Sequence, residues 1–197
     1  MTDVPAPGTA GAIATVYGQY CARVARVIAD QAGMVERLID AMSAAGAIHC
    51  YGFGRSGHAA ASLAIRLRHF QRVLPPVWWV GDQVRDPFKA GQLLIVFSRL
   101  GTRFEVVDLV RHAREHGLTC AFVTRAPARG EQSGGIARAG EIVIGLPSMD
   151  SDLLSPALVY GGGDFELGAY LFQEILVTRA GHRFEIPASD TDLFHVH

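Results

Sequence analysis

Residues 47–57, AIHCYGFGRSG, decide how the rest of the chain is read. The run opens apolar, so a buried strand is predicted over 47–53, and the small residues that follow predict a helix over 57–70. Gly52, Gly54 and Gly57 spell G-x-G-x-x-G across that junction. A turn of this kind presents backbone N–H groups at a helix N-terminus, where the partial positive charge favours an anion. The alternative is a tight strand–helix turn that binds nothing.

Outward from this junction, strands and helices alternate. Apolar runs predict strands over 76–81 (PVWWVG), 92–98 (QLLIVFS), 118–124 (LTCAFVT) and 141–147 (EIVIGLP). Helices are expected over 102–115 and from Phe165 in FELGAYLFQEILVTRAG. Upstream, Val16, Tyr20, Val24, Ile28, Val35, Leu38, Ile39 and Met42 keep helical spacing between Gly11 and Ala45, with a break near Gly33. Strands that are apolar throughout belong to a parallel sheet covered on both faces. The expected architecture is α/β: a three-layer α/β/α sandwich with a five-stranded parallel sheet, flavodoxin-like, preceded by a helical lead-in. Residues 1–10 are expected to be flexible and 11–197 to form one domain. Ligands of such sheets sit beyond the carboxyl ends of the strands.

The composition narrows the partners. With 18 basic and 19 acidic side chains and a net charge of -1, nothing suggests a nucleic-acid footprint. No polybasic patch occurs and no apolar run approaches the roughly 20 residues of a membrane span, so no membrane partner is expected. The N-terminus lacks the pattern of a signal peptide. Cys50 and Cys120 lie in apolar runs and read as buried reduced thiols, which suits a cytoplasmic protein. His195 and His197 form an H-x-H tail without accompanying ligands, so no metal is expected. Trp78 and Trp79 read as core and interface residues.

Two kinds of anion compete for the glycine turn. A dinucleotide would need an acidic residue at the end of the second strand, and Asp82 lies about ten residues beyond the usual spacing of about 20. A sugar phosphate would need hydroxyls instead. Ser56 stands at the helix start, and VFSRLGTR (96–103) places Ser98 and Thr102 directly after the third strand. The hydroxyl pattern favours a phosphorylated sugar; a nicotinamide-dependent oxidoreductase is the weaker reading.

YGFGRSGHAAASLAIRLRHF (51–70) closely resembles the G-x-G-R-S-G…A-x-R-L-x-H segment of 6-phospho-3-hexuloisomerases, within the sugar isomerase (SIS) domain superfamily. VGDQVRDPFKAGQLLIVFS is similar to that family's V-G-E…P…G-D-L-L-I-x-x-S, and GGGDFELGAYLFQEILV to its G-x-x-F-E…L-F-L-D. The resemblance covers about residues 47–180. It implies an isomerase of the aldose–ketose type acting on a phosphorylated hexose, most like 3-hexulose 6-phosphate to fructose 6-phosphate. Proton transfer would run through an enediolate, with no cofactor, in a homodimer or homotetramer.

Glu166 opens the last helix after YGGGDF and matches the family's catalytic glutamate, so it is the expected base. A glutamate is also favoured in a first helical turn by the dipole alone. His69 matches the family's histidine and is the expected proton shuttle; a cap or packing residue is the other reading. Gly54, Arg55, Ser56, Ser98, Arg99, Thr102 and Arg103 are expected to bind substrate, while His58 and Arg66 read as a bystander and an edge contact. The chain departs from the family's S-x-S-G-x-T loop, carrying Leu100 and Arg103 at two hydroxyl positions, and it lacks the closing R-H-x-N-L-E. Arg99 and Arg103 would supply guanidinium forks in compensation. The altered loop keeps a second reading open, a sugar-phosphate-binding module without catalysis.

Overall fold

In the computed structural model, five parallel strands form one sheet in the order β2-β1-β3-β4-β5. The residues described are 9–83, 85–125, 136–149 and 163–187. The chain runs α1 (Ala10–Asp30), α2 (Ala32–Ala44), β1 (Ile48–Gly52), α3 (Arg55–Arg68), β2 (Val77–Trp79), β3 (Leu93–Phe97), α4 (Phe104–Glu115), β4 (Thr119–Arg125), β5 (Ile142–Leu146) and α5 (Asp164–Arg183). This is the flavodoxin-like order expected from the sequence. Strand order reverses between β1 and β3, so the loops after these two strands diverge and leave a crevice between them.

The uninterrupted apolar strands follow from burial on both faces. Leu93, Ile95 and Phe97 of β3 join a core with α1, α2, α3 and α5, while Leu94 and Val96 meet α4 on the opposite face. All five are fully buried. The second face carries less helix among the described residues. Between β2 and β3 the chain crosses it without a helix there, and Phe88 from that crossing packs edge-on against His49, with ring centroids 4.9 Å apart. His49 is fully buried, with Nε2 3.0 Å from Gln92 Oε1. The amide oxygen only accepts, so Nε2 carries the proton.

Burial holds the His49 pKa below its ordinary 6.5. The folded chain therefore binds this proton less readily than the unfolded chain. Stability from this group is complete above about pH 6.5 and declines as pH falls toward the lower folded value. The melting temperature is expected to drop on acidification from about pH 7 to 5. His49→Phe, which keeps a ring against Phe88, is expected to show a shallower drop by differential scanning fluorimetry.

The lead-in breaks at Gln31, in the neighbourhood of Gly33 where a break is expected. Gln31 Nε2 donates to Gly145 O at 2.8 Å and its Oε1 accepts Gly145 N–H at 2.8 Å. One side-chain amide thus satisfies both backbone groups of a residue on edge strand β5, a protected edge. On α1, the Tyr20 hydroxyl lies 2.7 Å from Asp164 O and 3.1 Å from Pro147 O, binding the start of α5 to the end of β5. Burial, reinforced by the Asp164 carboxylate, pushes the Tyr20 phenol far above its usual range, so it stays a neutral donor. Gly168 makes room for it: a Cβ there would sit 2.9 Å from the hydroxyl.

Candidate functional site

The β1–α3 junction shows what its three glycines do. A Cβ on Gly52 would lie 2.5 Å from Ser56 O, and one on Gly57 would lie 2.7 Å from Gly52 O. These two glycines let helix backbone press directly onto strand backbone. Gly54 has φ 60° and ψ -130°, a conformation essentially closed to other residues. The helix consequently begins at Arg55, two residues before the expected Gly57, so Arg55 and Ser56 occupy its first turn. Gly57 N–H turns back to Gly54 O at 2.9 Å, and the N–H groups at the very start of a helix point outward from its end.

The β3–α4 loop is tied down just as firmly. Ser98 Oγ accepts the Gly101 N–H at 3.1 Å, with Gly101 at φ 66°. Arg99 O accepts from Thr124 Oγ1 at 3.2 Å and from Arg125 N–H at 3.1 Å, which fixes the loop to β4. Thr102 is exposed, and Arg103 occupies the N-cap position of α4. Arg103 also stacks on Phe53, its Cζ 4.5 Å from the ring centroid.

The third wall is the first turn of α5. Ser56 Oγ donates to Glu166 Oε1 at 3.0 Å, and Arg55 Nη2 lies 3.7 Å from Oε2. Only 14% of the Glu166 side chain is exposed. The α3–α5 contact that aligns these residues includes Gln173 Nε2 donating to Ala59 O at 2.8 Å. Three helices thus begin around one cleft of about 450 Å³. Gly54, Arg55, Ser56, Ser98, Arg99, Thr102, Arg103 and Glu166 all line it, together with Phe53 and Leu100.

His69 is elsewhere. It caps the C-terminal end of the 14-residue α3, which is roughly 20 Å long, whereas the cleft lies at that helix's other end. It lines a separate hollow with Phe70, Phe184 and Ile186. Asp82 also lies outside the cleft, paired with Arg68 at 2.9 Å. His58 is exposed and does not line the cleft, and Arg66 pairs with Glu174 on α5 at 2.8 Å. His195 and His197 lie outside the described residues. Burial pushes the Cys50 thiol up to about 12 and the Cys120 thiol up to about 11, so both stay protonated. Among the described residues no group of three His, Cys, Asp or Glu side chains could hold a metal ion. No helix among them is long and apolar enough to cross a membrane.

Sequence reasoning missed Asp164. Its side chain is 4% exposed; Oδ2 accepts the Met149 N–H at 3.0 Å and lies 3.7 Å from Arg99 Nη2. Its Oδ1 is buried without a hydrogen-bond partner among the described residues. The buried carboxylate holds Arg99, itself 42% exposed, at the cleft. Nothing local in either segment couples positions 99 and 164. Phe53, inside the glycine turn, carried no signal beyond being aromatic.

No protein-family model matches the chain. An uncharacterized protein from Archaeoglobus fulgidus is 26% identical over 164 residues, covering 82% of this chain and 85% of its own. A hypothetical protein from Methanococcus jannaschii has a TM-score of 0.76 at 19% identity, covering 93% of this chain and 97% of that one. The chain shares its fold with that structure. The M. jannaschii structure is described as inferring a molecular function of 3-hexulose-6-phosphate isomerase. A protein of E. coli CFT073 in complex with A5P shares the fold, with a TM-score of 0.67 at 19% identity over 93% of this chain and 95% of that one. The cleft built from α3, α4 and α5 is therefore set within a fold that these proteins share.

Proposed function

We propose that the cleft binds a phosphorylated sugar and isomerises it, most like the interconversion of 3-hexulose 6-phosphate and fructose 6-phosphate. One observation carries this reading: Glu166 is held 3.0 Å from Ser56 Oγ, in a cleft that also gathers Arg55, Arg99 and Arg103. The phosphate sits against the first turns of α3 and α4, where backbone N–H groups, Ser56 and Thr102 can reach it. Arg99 and Arg103 supply forked donors in place of the serine and threonine replaced at positions 100 and 103. Both hexuloses are ketoses, so for this pair the aldose–ketose type expected above gives way to a ketose–ketose exchange in which the carbonyl moves between C3 and C2. Glu166 takes the proton from one of these carbons, a 2,3-enediolate forms, the hydroxyl proton passes from one of its oxygens to the other, and Glu166 returns the carbon-bound proton to the neighbouring carbon. The Arg55 guanidinium near Glu166 stabilises the developing oxyanion.

Within its own protomer His69 reaches none of these atoms, so a role as proton shuttle requires a second copy of the chain to deliver it. A homodimer or homotetramer accompanies the reading, supported by exposed Ile65 on α3 and Tyr170 on α5. No residue in the cleft calls for a cofactor in this chemistry. The dinucleotide alternative loses support, because Asp82 pairs with Arg68 outside the cleft. The second reading, binding without turnover, draws on Leu100 standing 52% exposed where the resembling loop carries a hydroxyl.

Incubation with fructose 6-phosphate in deuterated water distinguishes the two. Deuterium entering at C3, followed by NMR, supports isomerisation. Calorimetric binding without exchange supports the module. Asp164 supplies a further check. Asp164→Asn keeps an acceptor for Met149 N–H but removes the charge facing Arg99. Affinity for inorganic phosphate is expected to fall about fivefold, roughly 1 kcal/mol, by titration calorimetry. In an Arg99→Met background the same change is expected to have no effect, because the coupling is already lost.

A further inference from the structure

Ser56 has one hydroxyl proton to donate. Its hydroxyl is the donor to Glu166 Oε1 at 3.0 Å, yet it stands in the first turn of α3, beside the N–H groups that draw an anion. A hydroxyl cannot donate to both at once. A hydrogen bond donated to Oε1 occupies that oxygen and holds the carboxylate in place against α3. A phosphate dianion bound in the cleft would compete strongly, since it carries up to two charges and three acceptor oxygens and the same cleft is lined by Thr102 and three arginines. Rotation about the Ser56 Cα–Cβ bond between staggered positions is enough to move the donor from one acceptor to the other.

We propose that Ser56 is a phosphate-operated restraint on Glu166: the hydroxyl holds the carboxylate until the substrate's phosphate takes the hydrogen bond, which frees the base for proton transfer. This rests on Glu166 and the phosphate having the roles given above. It adds that the phosphate is an activator as well as a handle. A sugar lacking it reacts slowly even at saturation, and a phosphate-like dianion supplied separately accelerates it.

Two measurements test this. In crystals grown with inorganic phosphate, Ser56 Oγ is expected within hydrogen-bond distance of a phosphate oxygen and beyond 3.5 Å from Glu166. Phosphate in the cleft with the Ser56–Glu166 bond intact, or no phosphate there at saturation, overturns the proposal. In deuterated water, saturating phosphite is expected to speed C3 exchange in unphosphorylated fructose at least tenfold in the native chain. Ser56→Ala is expected to exchange fructose at least fivefold faster than native without phosphite and to lose the response. Ser56→Thr should restore it. A residue that merely binds phosphate would leave the unassisted rate unmoved. An unraised rate in Ser56→Ala, or an equal phosphite response in that variant, therefore sinks the switch. If fructose 6-phosphate itself shows no exchange in the native chain, the isomerase reading fails, and the crystal result alone still decides where the Ser56 proton goes.

Discussion

Glu166→Gln is expected to lower the rate of C3 proton exchange with fructose 6-phosphate by roughly 10²- to 10⁴-fold, the range typical of a lost general base. The amide keeps the size of the carboxylate and still accepts from Ser56 Oγ through its carbonyl oxygen. The cleft therefore keeps its shape and the effect falls on kcat rather than KM. Arg55, 3.7 Å from Oε2, loses its charged neighbour, so phosphate affinity is expected to hold or rise slightly. NMR exchange rates with calorimetry on the same variant separate the two effects. Native-like exchange in Glu166→Gln would remove this residue from the chemistry.

Gly52→Ala is expected to be the most damaging small substitution. Its methyl group would lie 2.5 Å from Ser56 O, 2.6 Å from Ser56 C and 2.8 Å from Gly57 N, all rigid backbone. Relief requires α3 to lift from β1, in a region where Ala59, Ala60 and Leu63 are fully buried. Overpacking of this kind costs roughly 1–3 kcal/mol, and the displaced helix carries Arg55 and Ser56 out of register with Glu166. Urea unfolding should show the lost stability, and phosphate binding should weaken beyond what the stability change alone explains. Ala substituted at Gly33, where a Cβ meets nothing within 4 Å, is the contrasting control, expected to be neutral or slightly stabilising.

These two sites also show why parts of the protein were legible in advance. The glycine junction is a local device: residues within six positions of each other set the turn, so the sequence shows it directly. The same holds for β3, where five consecutive apolar residues report burial on both faces. Helix starts shifted by two residues at α3 because Gly54, rather than Gly57, marks the change in backbone direction. His69 was misplaced relative to the cleft for a related reason. Its spacing from Ser56 says only that both lie along α3, and a helix of that length puts one of its ends beyond the carboxyl ends of the strands and the other beyond their amino ends.

Sequence by itself determined the parallel sheet, the junction where strand meets helix, and which loops border the crevice, because periodicity and turn chemistry act over a few residues. Tertiary structure alone decided that Glu166 meets Ser56 across 110 positions and that Asp164 anchors Arg99. Those pairings depend on how α5 packs between α1 and α3, through contacts such as Tyr20 with Asp164 and Gln173 with Ala59. Helix-on-helix registration comes from the shape of the whole core, a property that no short stretch of residues carries.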